Sequence, residues 1–338
     1  MLLQPNPGVD VLFDPFWLEP PDAPNARLVC ATVRPSRLDA AWADVADTDV
    51  AGCDLDIGVA RARCRGEAIE YLSQLHHPEA PDRLSARSLS DGEVLEVRVD
   101  DVLQMPGASQ PGIGAGVAAG RTFEEAVAAA LWELVERHAV TRWWYEGQAG
   151  HRLAAETEQA AQAYALCLRG MARTRVTRLI DISERAGLPV MVAISTEADG
   201  TGFVAGMAGH VDPTIAAQKA IRELVQMETG LRMAQMKQQS GRDLNVHEDR
   251  MLRREARLDA AAQGLIGAPP LAHPTAADDL LAQTAATAVA LDRPVLVIDL
   301  TQPRFGLPVA KVLAPGLCSI PEAAAWEAAG GRDRVAMY

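Results

Sequence analysis

The chain has 338 residues, of which 49% are hydrophobic and only 4% aromatic, so it can bury one large aliphatic core or two medium ones. Its formal net charge of −13 argues against a nucleic-acid partner, because phosphate binding needs a basic face, although metal ions could still bring in a nucleotide. The five cysteines are scattered and odd in number, which disfavours a disulfide scaffold and a zinc ribbon.

No segment is typical of export or of a membrane span. The first ten residues are polar and contain prolines, whereas a signal peptide starts with a basic and then an apolar stretch. No apolar run reaches about 18 residues, the length needed to cross a bilayer. We therefore expect a cytoplasmic protein without a membrane partner.

In the first half of the chain, the pattern predicts an irregular start followed by strands and two long helices. Residues 1–25 are rich in Pro and Asp. Strands are predicted at 27–33 and 95–102, a helix at 59–75 and a glycine-rich loop at 107–120. Thr122 is a good N-cap, and Glu125, three residues later, completes a capping box for a helix that runs to about Tyr145.

The second half alternates predicted helices and strands. The helices are predicted at 154–169, 213–236 and 276–291, and the strands at 176–182, 189–195, 202–209, 294–300 and 307–314. Thr275 is the expected N-cap of the last helix, and residues 240–274 are polar and irregular. The sequence therefore predicts a mixed α/β fold of the α+β class, with long helices and short, mostly antiparallel strands.

Two glutamates lie in the middle of a helix that is apolar on nearly every side. Glu133 and Glu136 are three residues apart in the run AVAAALWELVERHAVTRWWY, so they share one face of the helix. Buried carboxylates of like charge are costly unless cations or a metal ion compensate them. For a lone pair of this kind, the more common explanation is a partly solvated face on which Glu133 pairs with Arg137.

A second pair with the same spacing strengthens the metal interpretation. Glu67 and Glu70 lie on another predicted helix, and Mg²⁺ binds one or two carboxylates together with substrate phosphates. The run GIGAGVAAG at 112–120 precedes the capped helix. It has no P-loop signature, but its glycines let the backbone approach an anion at the helix N-terminus. A tight strand-to-helix turn explains this run equally well.

Four segments resemble signature segments of the YcaO family, and they occur along the chain in the same order as in the family. They are GVAAGRTFEEA continuing into LWELVER (116–137), similar to GLAAGNTLEEA…LxELxER; ARARCRGEAIE (60–70), similar to ARASALGEAxER; AAQKAIRELVQ (216–226), similar to AlrrAltElvQ; and GLPVAKVLAPGL (306–317), similar to GiPVvrvivPGLe. Together they cover the chain from about 55 to 320. The resemblance implies a YcaO-type fold in one domain of residues 1–338, without a fused leader-binding domain.

The resemblance also implies an ATP site whose Mg²⁺ ions are held by Glu67, Glu70, Glu133 and Glu136. Glu125 and Arg137 match nucleotide-site positions of the family. Four positions differ from the usual pattern: Arg63 replaces Ser, Tyr71 replaces Arg, Arg121 replaces a common Asn, and Lys311 replaces Arg. Arg63, Arg121 and Lys311 are therefore candidates for phosphate contacts.

The activity implied by the resemblance is activation of a peptide backbone amide. A nucleophile adds to the carbonyl, ATP phosphorylates the resulting oxyanion, and phosphate leaves, while metal ions neutralise the triphosphate. A side chain of the same peptide gives azolines, external sulfide gives thioamides and an amine gives amidines. The sequence leaves these three reactions open.

The expected partners are a precursor peptide of a ribosomal natural product and a separate protein that delivers the leader peptide or sulfur. The chain ends without the PxPxP tail of many azoline-forming members. The oligomeric state is open, with a homodimer among the options. The alternative function is a catalytically degenerate scaffold subunit, which the replaced positions Arg63 and Tyr71 favour.

Overall fold

Three β-sheets and several long helices form the part of the chain that the structure describes. The structure, a computed structural model, describes residues 9–105, 114–172, 174–184, 187–253, 264–273 and 279–317. The strands are β1 (Phe13–Leu18), β2 (Arg27–Val33), β3 (Thr48–Asp54), β4 (Arg83–Ser88), β5 (Val94–Arg98), β6 (Val117–Ala119), β7 (Gly150–His151), β8 (Val176–Asp181), β9 (Val190–Thr196), β10 (Val204–Gly209), β11 (Ile266–Ala268), β12 (Leu296–Asp299) and β13 (Val309–Leu313). The α-helices are α1 (Pro35–Leu38), α2 (Ile57–Ser73), α3 (Phe123–Val140), α4 (Ala155–Arg169), α5 (Pro213–Gln239), α6 (Val246–Arg253) and α7 (Leu280–Ala290).

The N-terminal sheet is antiparallel in the order β1–β2–β3, and α2 packs on β3. Gly52 permits this close approach. A Cβ at Gly52 would lie 2.1 Å from the carbonyl oxygen of Ala60 and 2.5 Å from the backbone nitrogen of Cys64. The helix begins where the Asp56 side chain accepts a hydrogen bond from the Val59 N–H at 3.0 Å. The cap and the close contact at Gly52 therefore fix the position of α2, and of its glutamates, against β3.

The middle sheet has the order β10–β9–β8–β7–β11 and is antiparallel except for the β7–β11 pair. Every residue of β9 and β10 is buried. The long helix α5 lies directly on β10, because Gly206 has no side chain: a Cβ there would be 2.2 Å from the Leu224 backbone nitrogen and 2.4 Å from the Ala220 carbonyl oxygen. This contact fixes which face of α5, the one with Ala220 and Leu224, lies against the edge strand β10.

The third sheet combines segments that are far apart in sequence. Its order is β5–β4–β12–β13–β6, and all neighbouring strands are antiparallel. The strand β12, which comes from the last described part of the chain, lies in the centre. The short strand β6 forms one edge and pairs with β13, where Ala119 lies opposite Val309 and Val117 opposite Lys311.

Helix α3 lies between the two five-stranded sheets. One side of the helix packs Leu131 into the same cluster as Val312 of β13, and the other side packs Trp132 into the same cluster as Met207 of β10. The helix starts where the Thr122 hydroxyl accepts from the Glu125 N–H at 3.2 Å. Beyond Val140 it continues as a π-helical turn over Thr141–Tyr145. The apolar pattern around the whole helix thus reflects burial between two sheets.

The α+β class with mostly antiparallel strands, predicted from the sequence, is confirmed. The prediction of an irregular segment at residues 1–25 was wrong, because β1 lies within it. The polar stretch 240–274 contains α6 and β11, and the predicted glycine loop contains β6. Helix α7 begins at Leu280 with Asp279 as its N-cap, whereas Thr275 lies outside the described residues. No helix among the described residues is long and apolar enough to cross a bilayer.

Candidate active site

The edge strand β6 offers its outward backbone N–H groups to carboxylates from two helices. Glu70 of α2 accepts from the Ala119 N–H through Oε1 at 2.8 Å. Glu133 of α3 accepts from the Gly116 and Val117 N–H groups through Oε2 at 3.1 and 3.3 Å. Because β6 is bonded to β13 on one side only, alternate N–H groups point away from the sheet. The edge strand therefore brings together one glutamate from each of the two pairs predicted from the sequence.

The edge strand β10 binds carboxylates from α3 and α5 in the same way. Glu136 accepts from the Gly209 N–H through Oε2 at 2.9 Å, and Glu223 accepts from the Met207 N–H through Oε2 at 2.9 Å. These two N–H groups are two residues apart, so they lie on the same side of β10. Since Glu133 and Glu136 are one turn apart on α3, this helix connects the carboxylates at β6 with those at β10.

Burial and crowding make these carboxyl groups hard to ionise. Burial, and to a lesser extent the neighbouring Glu133 and Glu67, raises the pKa of Glu70 to about 8. The pKa values of Glu136 and Glu223 are also raised, first by burial and then by the nearest carboxylate, which is Glu133 for Glu136 and Glu136 for Glu223. A group of acids in this state favours a bound cation, which would stabilise the ionised forms.

Glu67 and Arg63, one turn apart on α2, extend the site towards β3. Glu67 accepts from the Ala51 N–H through Oε2 at 3.0 Å. Its side chain remains accessible to solvent, yet the surrounding protein desolvates the carboxylate and raises its pKa. Arg63 binds Asp54 Oδ2 through Nε and Nη2, both at 3.1 Å. Glu67 and Arg63 thus both contact β3, on the same helix that carries Glu70.

Three basic side chains lie among the carboxylates. Arg137 donates from Nε to Glu133 Oε1 at 2.7 Å. Lys311 is only 2% exposed and donates from Nζ to the Ala115 carbonyl at 2.7 Å, and burial lowers its pKa to about 8. Lys219 of α5 also has a lowered pKa because it is buried. Cations and acids are therefore mixed in one confined space, as binding of an anion together with a metal ion requires.

Three residues named from the sequence do not join this group. Arg121 and Glu125 form an i,i+4 ion pair at the start of α3, and the Arg121 side chain is 67% exposed. The hydrogen bond from Arg121 lowers the pKa of Glu125. Tyr71 donates from its hydroxyl to the Ala46 carbonyl at 3.3 Å, away from the neighbouring Glu70. Tyr71, which stands where the family motif has Arg, therefore does not contact the carboxylate cluster.

Glu223 and Lys219 were missed by the sequence reasoning. Both lie in the segment 216–226 that carries the family resemblance, but no side chain was selected from it. Their i,i+4 spacing on an Ala-rich helix was a usable signal, since charged residues on a largely buried helix need a partner. What the sequence could not show is that Gly206 seats this helix on β10.

The donor set fits a Mg²⁺–nucleotide pair better than a metal ion alone. Within the described ranges, no three His, Cys, Asp or Glu side chains are already grouped to hold a metal ion. Mg²⁺ does not require such a group, because it takes one or two carboxylates and completes its shell with phosphates and water. Glu70, Glu136 and Glu223 each have a second oxygen without a hydrogen bond among the described residues. These oxygens are suitable ligands.

A family model described as "YcaO cyclodehydratase, ATP- and Mg²⁺-binding" matches residues 111–318. The chain belongs to the YcaO family. ATP and Mg²⁺, which the sequence predicted as cofactors, are the ligands in the description of this family. A comparison with curated proteins gave no match.

Solved structures of YcaO proteins share the fold. A heterocyclase in complex with substrate and cofactor aligns with a TM-score of 0.71 and 18% identity over 92% of this chain and 50% of that one. YcaO from Methanopyrus kandleri, bound with AMPPCP and Mg²⁺, gives 0.66 and 18% over 96% and 89%. The E. coli microcin synthetase McbBCD complex gives 0.63 and 12% over 89% and 87%. The chain spans about half the length of the heterocyclase, and at these identities the likeness concerns the fold.

Proposed function

We propose that this YcaO protein uses ATP and Mg²⁺ to activate a backbone amide of a peptide by phosphorylating the amide oxygen. The observation that carries the proposal is the gathering of half-buried carboxylates from α2, α3 and α5 at the sheet edges β6 and β10. Such a cluster is costly without a cation, and the chain belongs to an ATP- and Mg²⁺-binding family.

The glutamates would hold the metal ions, and the basic residues would face the phosphates. Glu70, Glu133, Glu136 and Glu223 are the proposed Mg²⁺ ligands, with Glu67 at the margin. When bound, Mg²⁺–ATP supplies a phosphoryl group that turns the amide oxygen into a phosphate leaving group, with ADP as the other product. Arg137 and Lys311 are positioned to balance phosphate charge, since both lie beside Glu133. Arg63, Arg121 and Glu125 remain proposed nucleotide contacts.

The proposed substrate is a ribosomally made precursor peptide, delivered by a partner protein. Two related structures support this: a heterocyclase is described in complex with substrate, and the microcin synthetase McbBCD complex is described with pro-MccB17 bound. We propose that residues 1–338 act as one YcaO domain. Cyclodehydration to azolines, thioamidation and amidine formation share the ATP step, and all three remain candidates.

A scaffold subunit is the second candidate. It is favoured by the absence, within the described ranges, of three acidic or other ligand side chains already grouped around one metal position, and by the turn of Tyr71 away from the cluster. A scaffold would keep the fold and lack the nucleotide site.

The deciding experiment combines binding and chemistry. Calorimetric titration of ATP with Mg²⁺, and with EDTA instead, should show binding only when the metal ion is present. ATP hydrolysis and a mass change on the peptide encoded beside the gene should appear only when peptide and partner are both added. A protein that binds no ATP under any of these conditions is a scaffold.

A further inference from the structure

Three cations meet where α2 and α5 pack against β3. Arg63 lies on α2 so close to β3 that a Cβ added to Gly52 would be 2.9 Å from the Cβ of Arg63. Lys219 and Arg222 lie three residues apart on α5, so they share a helix face. Both helices contact β3. The two arginines and the lysine therefore come from separate helices to one corner of the site.

Protein carboxylates balance the charges of these three residues only in part. Burial lowers the pKa of Arg63, and Arg222 is the next largest cause. Burial likewise lowers the pKa of Lys219, and both Arg222 and Arg63 lower it further, although Glu136 raises it. Arg63 is paired with Asp54. Within the described ranges, neither Lys219 nor Arg222 makes a hydrogen bond or an ion pair.

The two arginines depart from the family runs quoted above at related places. Arg63 stands where ARASALGEAxER has Ser, and Arg222 stands where AlrrAltElvQ has Thr. Two small hydroxyl residues on different helices are thus replaced by cations that lie within electrostatic range of each other. An anion beside such a pair stabilises both charges, and Asp54 lies beside Arg63 alone.

We propose that Arg63 and Arg222, assisted by Lys219, bind the polyphosphate of ATP in this chain, an inference that rests on the proposed function. Guanidinium groups match phosphate oxygens with paired N–H donors, which a Ser or Thr hydroxyl cannot do. The corner adjoins the carboxylate cluster, because Lys219 lies within electrostatic range of Glu136 and Glu223. Arg63 and Arg222 would thus share the phosphates with the metal ions.

The test measures affinity, independently of product formation. Calorimetry gives the Kd of ATP and of inorganic tripolyphosphate, both with Mg²⁺, for the wild type, Arg63→Ser, Arg222→Thr and the double variant. Loss of one charged hydrogen-bonding group weakens binding by about 10- to 100-fold. We expect losses in this range for both ligands. Arg61→Ser is the matched control, because Arg61 is exposed on the same helix and has no hydrogen bond or ion pair among the described residues. The affinity of this variant for both ligands should equal that of the wild type.

Each result has a distinct meaning. If the wild type does not bind Mg²⁺–ATP, the proposed function fails. If the wild type binds and the variants match it within twofold, the proposed function stands and the arginine site is wrong. If tripolyphosphate affinity falls while ATP affinity is unchanged, the corner binds another anion and the proposal is also wrong. Arg222→Gln and Arg63→Gln, which keep more of the side-chain volume, decide the question if the smaller replacements lower the melting temperature.

Discussion

At the residue scale, the glutamates of the site are divided between two tasks. Glu70, Glu136 and Glu223 each use one oxygen to accept from a strand N–H and keep the other without a hydrogen bond among the described residues. Glu133 differs, because both of its oxygens are engaged, one by the backbone and one by Arg137. Substitutions of the four residues should therefore not have the same effect.

Glu136→Gln should stabilise the metal-free protein and abolish function. Gln keeps the volume and can still accept from the Gly209 N–H, while the buried charge is removed. The pKa of Glu136 is raised from 4.5 to about 7, and one pKa unit corresponds to about 1.4 kcal/mol, so a gain of at most about 3 kcal/mol is expected at pH 8. Mg²⁺–ATP affinity and peptide modification should be lost. Thermal melts and calorimetry measure both, with the exposed Glu124→Gln on the same helix as the control. An active but less stable variant would refute the assignment.

Glu133→Gln should also abolish peptide modification, but without the gain in stability. It loses the contact with Arg137, a half-exposed i,i+4 pair that contributes about 0.3–0.5 kcal/mol. A small decrease in melting temperature is therefore expected. If both variants shifted stability equally, the different roles given to the two glutamates would be wrong.

The metal-free protein should lose stability as pH rises from about 5 to about 8. Unfolded glutamates have a pKa of about 4.3, whereas the folded pKa values of Glu70, Glu136 and Glu223 are raised. In this window the folded state retains protons that the unfolded state has released, so stability is complete below the unfolded pKa and declines through the folded ones. Urea unfolding across this range should show the slope, and Glu70→Gln should flatten it. A stability that increases over the window would contradict the raised pKa values.

At the element scale, glycines determine where the Glu-bearing helices lie. Gly206 seats α5 on β10 and Gly52 seats α2 on β3, and a Cβ at either position would collide with backbone atoms. The carboxylates reach the strand edges because these contacts are close. Gly66, on α2 next to Glu67, has open space around it and plays no such part.

Gly206→Ala should lower the free energy of unfolding by more than about 2 kcal/mol and weaken Mg²⁺–ATP binding, because α5 and Glu223 must move away from β10. Gly66→Ala is the control. It adds a methyl group in open space within a helix and should raise stability by about 0.5–1 kcal/mol without changing binding. Chemical denaturation of both variants gives the comparison. Equal effects would show that the contact at Gly206 is not tight.

The long helices could be predicted from the sequence because their apolar and capping patterns are local. α4 and α5 lie within a few residues of their predicted bounds, and Thr122 caps α3 as expected. The strands β6 and β11 were missed because each has only three residues, too few for an alternating pattern. The pairs Glu67–Glu70 and Glu133–Glu136 were visible as spacing. The contribution of α5 was not, because it depends on how sheets and helices pack.

At the scale of the whole molecule, the site is a junction of all three sheets. β3, β6 and β10 belong to different sheets, and each donates backbone N–H groups to a glutamate of the cluster. A ligand that binds there contacts parts of the chain that are separated by more than a hundred residues. The pairing order of the third sheet, with β12 in the centre, could not be predicted because it depends on long-range contacts.

Mg²⁺–ATP should therefore stabilise the entire fold. At a ligand concentration of about 100 times Kd, binding to the native state alone adds about 2.7 kcal/mol. A single transition shifted to higher temperature is expected with Mg²⁺–ATP, and a much smaller shift with ATP plus EDTA. Differential scanning calorimetry distinguishes this outcome from two separate transitions, which would mean that the sheets unfold independently.

The hydrogen bonds at β6 and β10 also protect the protein from self-association. An open sheet edge exposes a row of N–H and C=O groups to which a strand of another molecule can add, and a charged group at such an edge opposes this. Here the outward N–H groups of Val117, Ala119, Met207 and Gly209 already have carboxylate acceptors. Replacing several of these glutamates by alanine would leave two edges open, so loss of catalysis in such variants would be accompanied by aggregation.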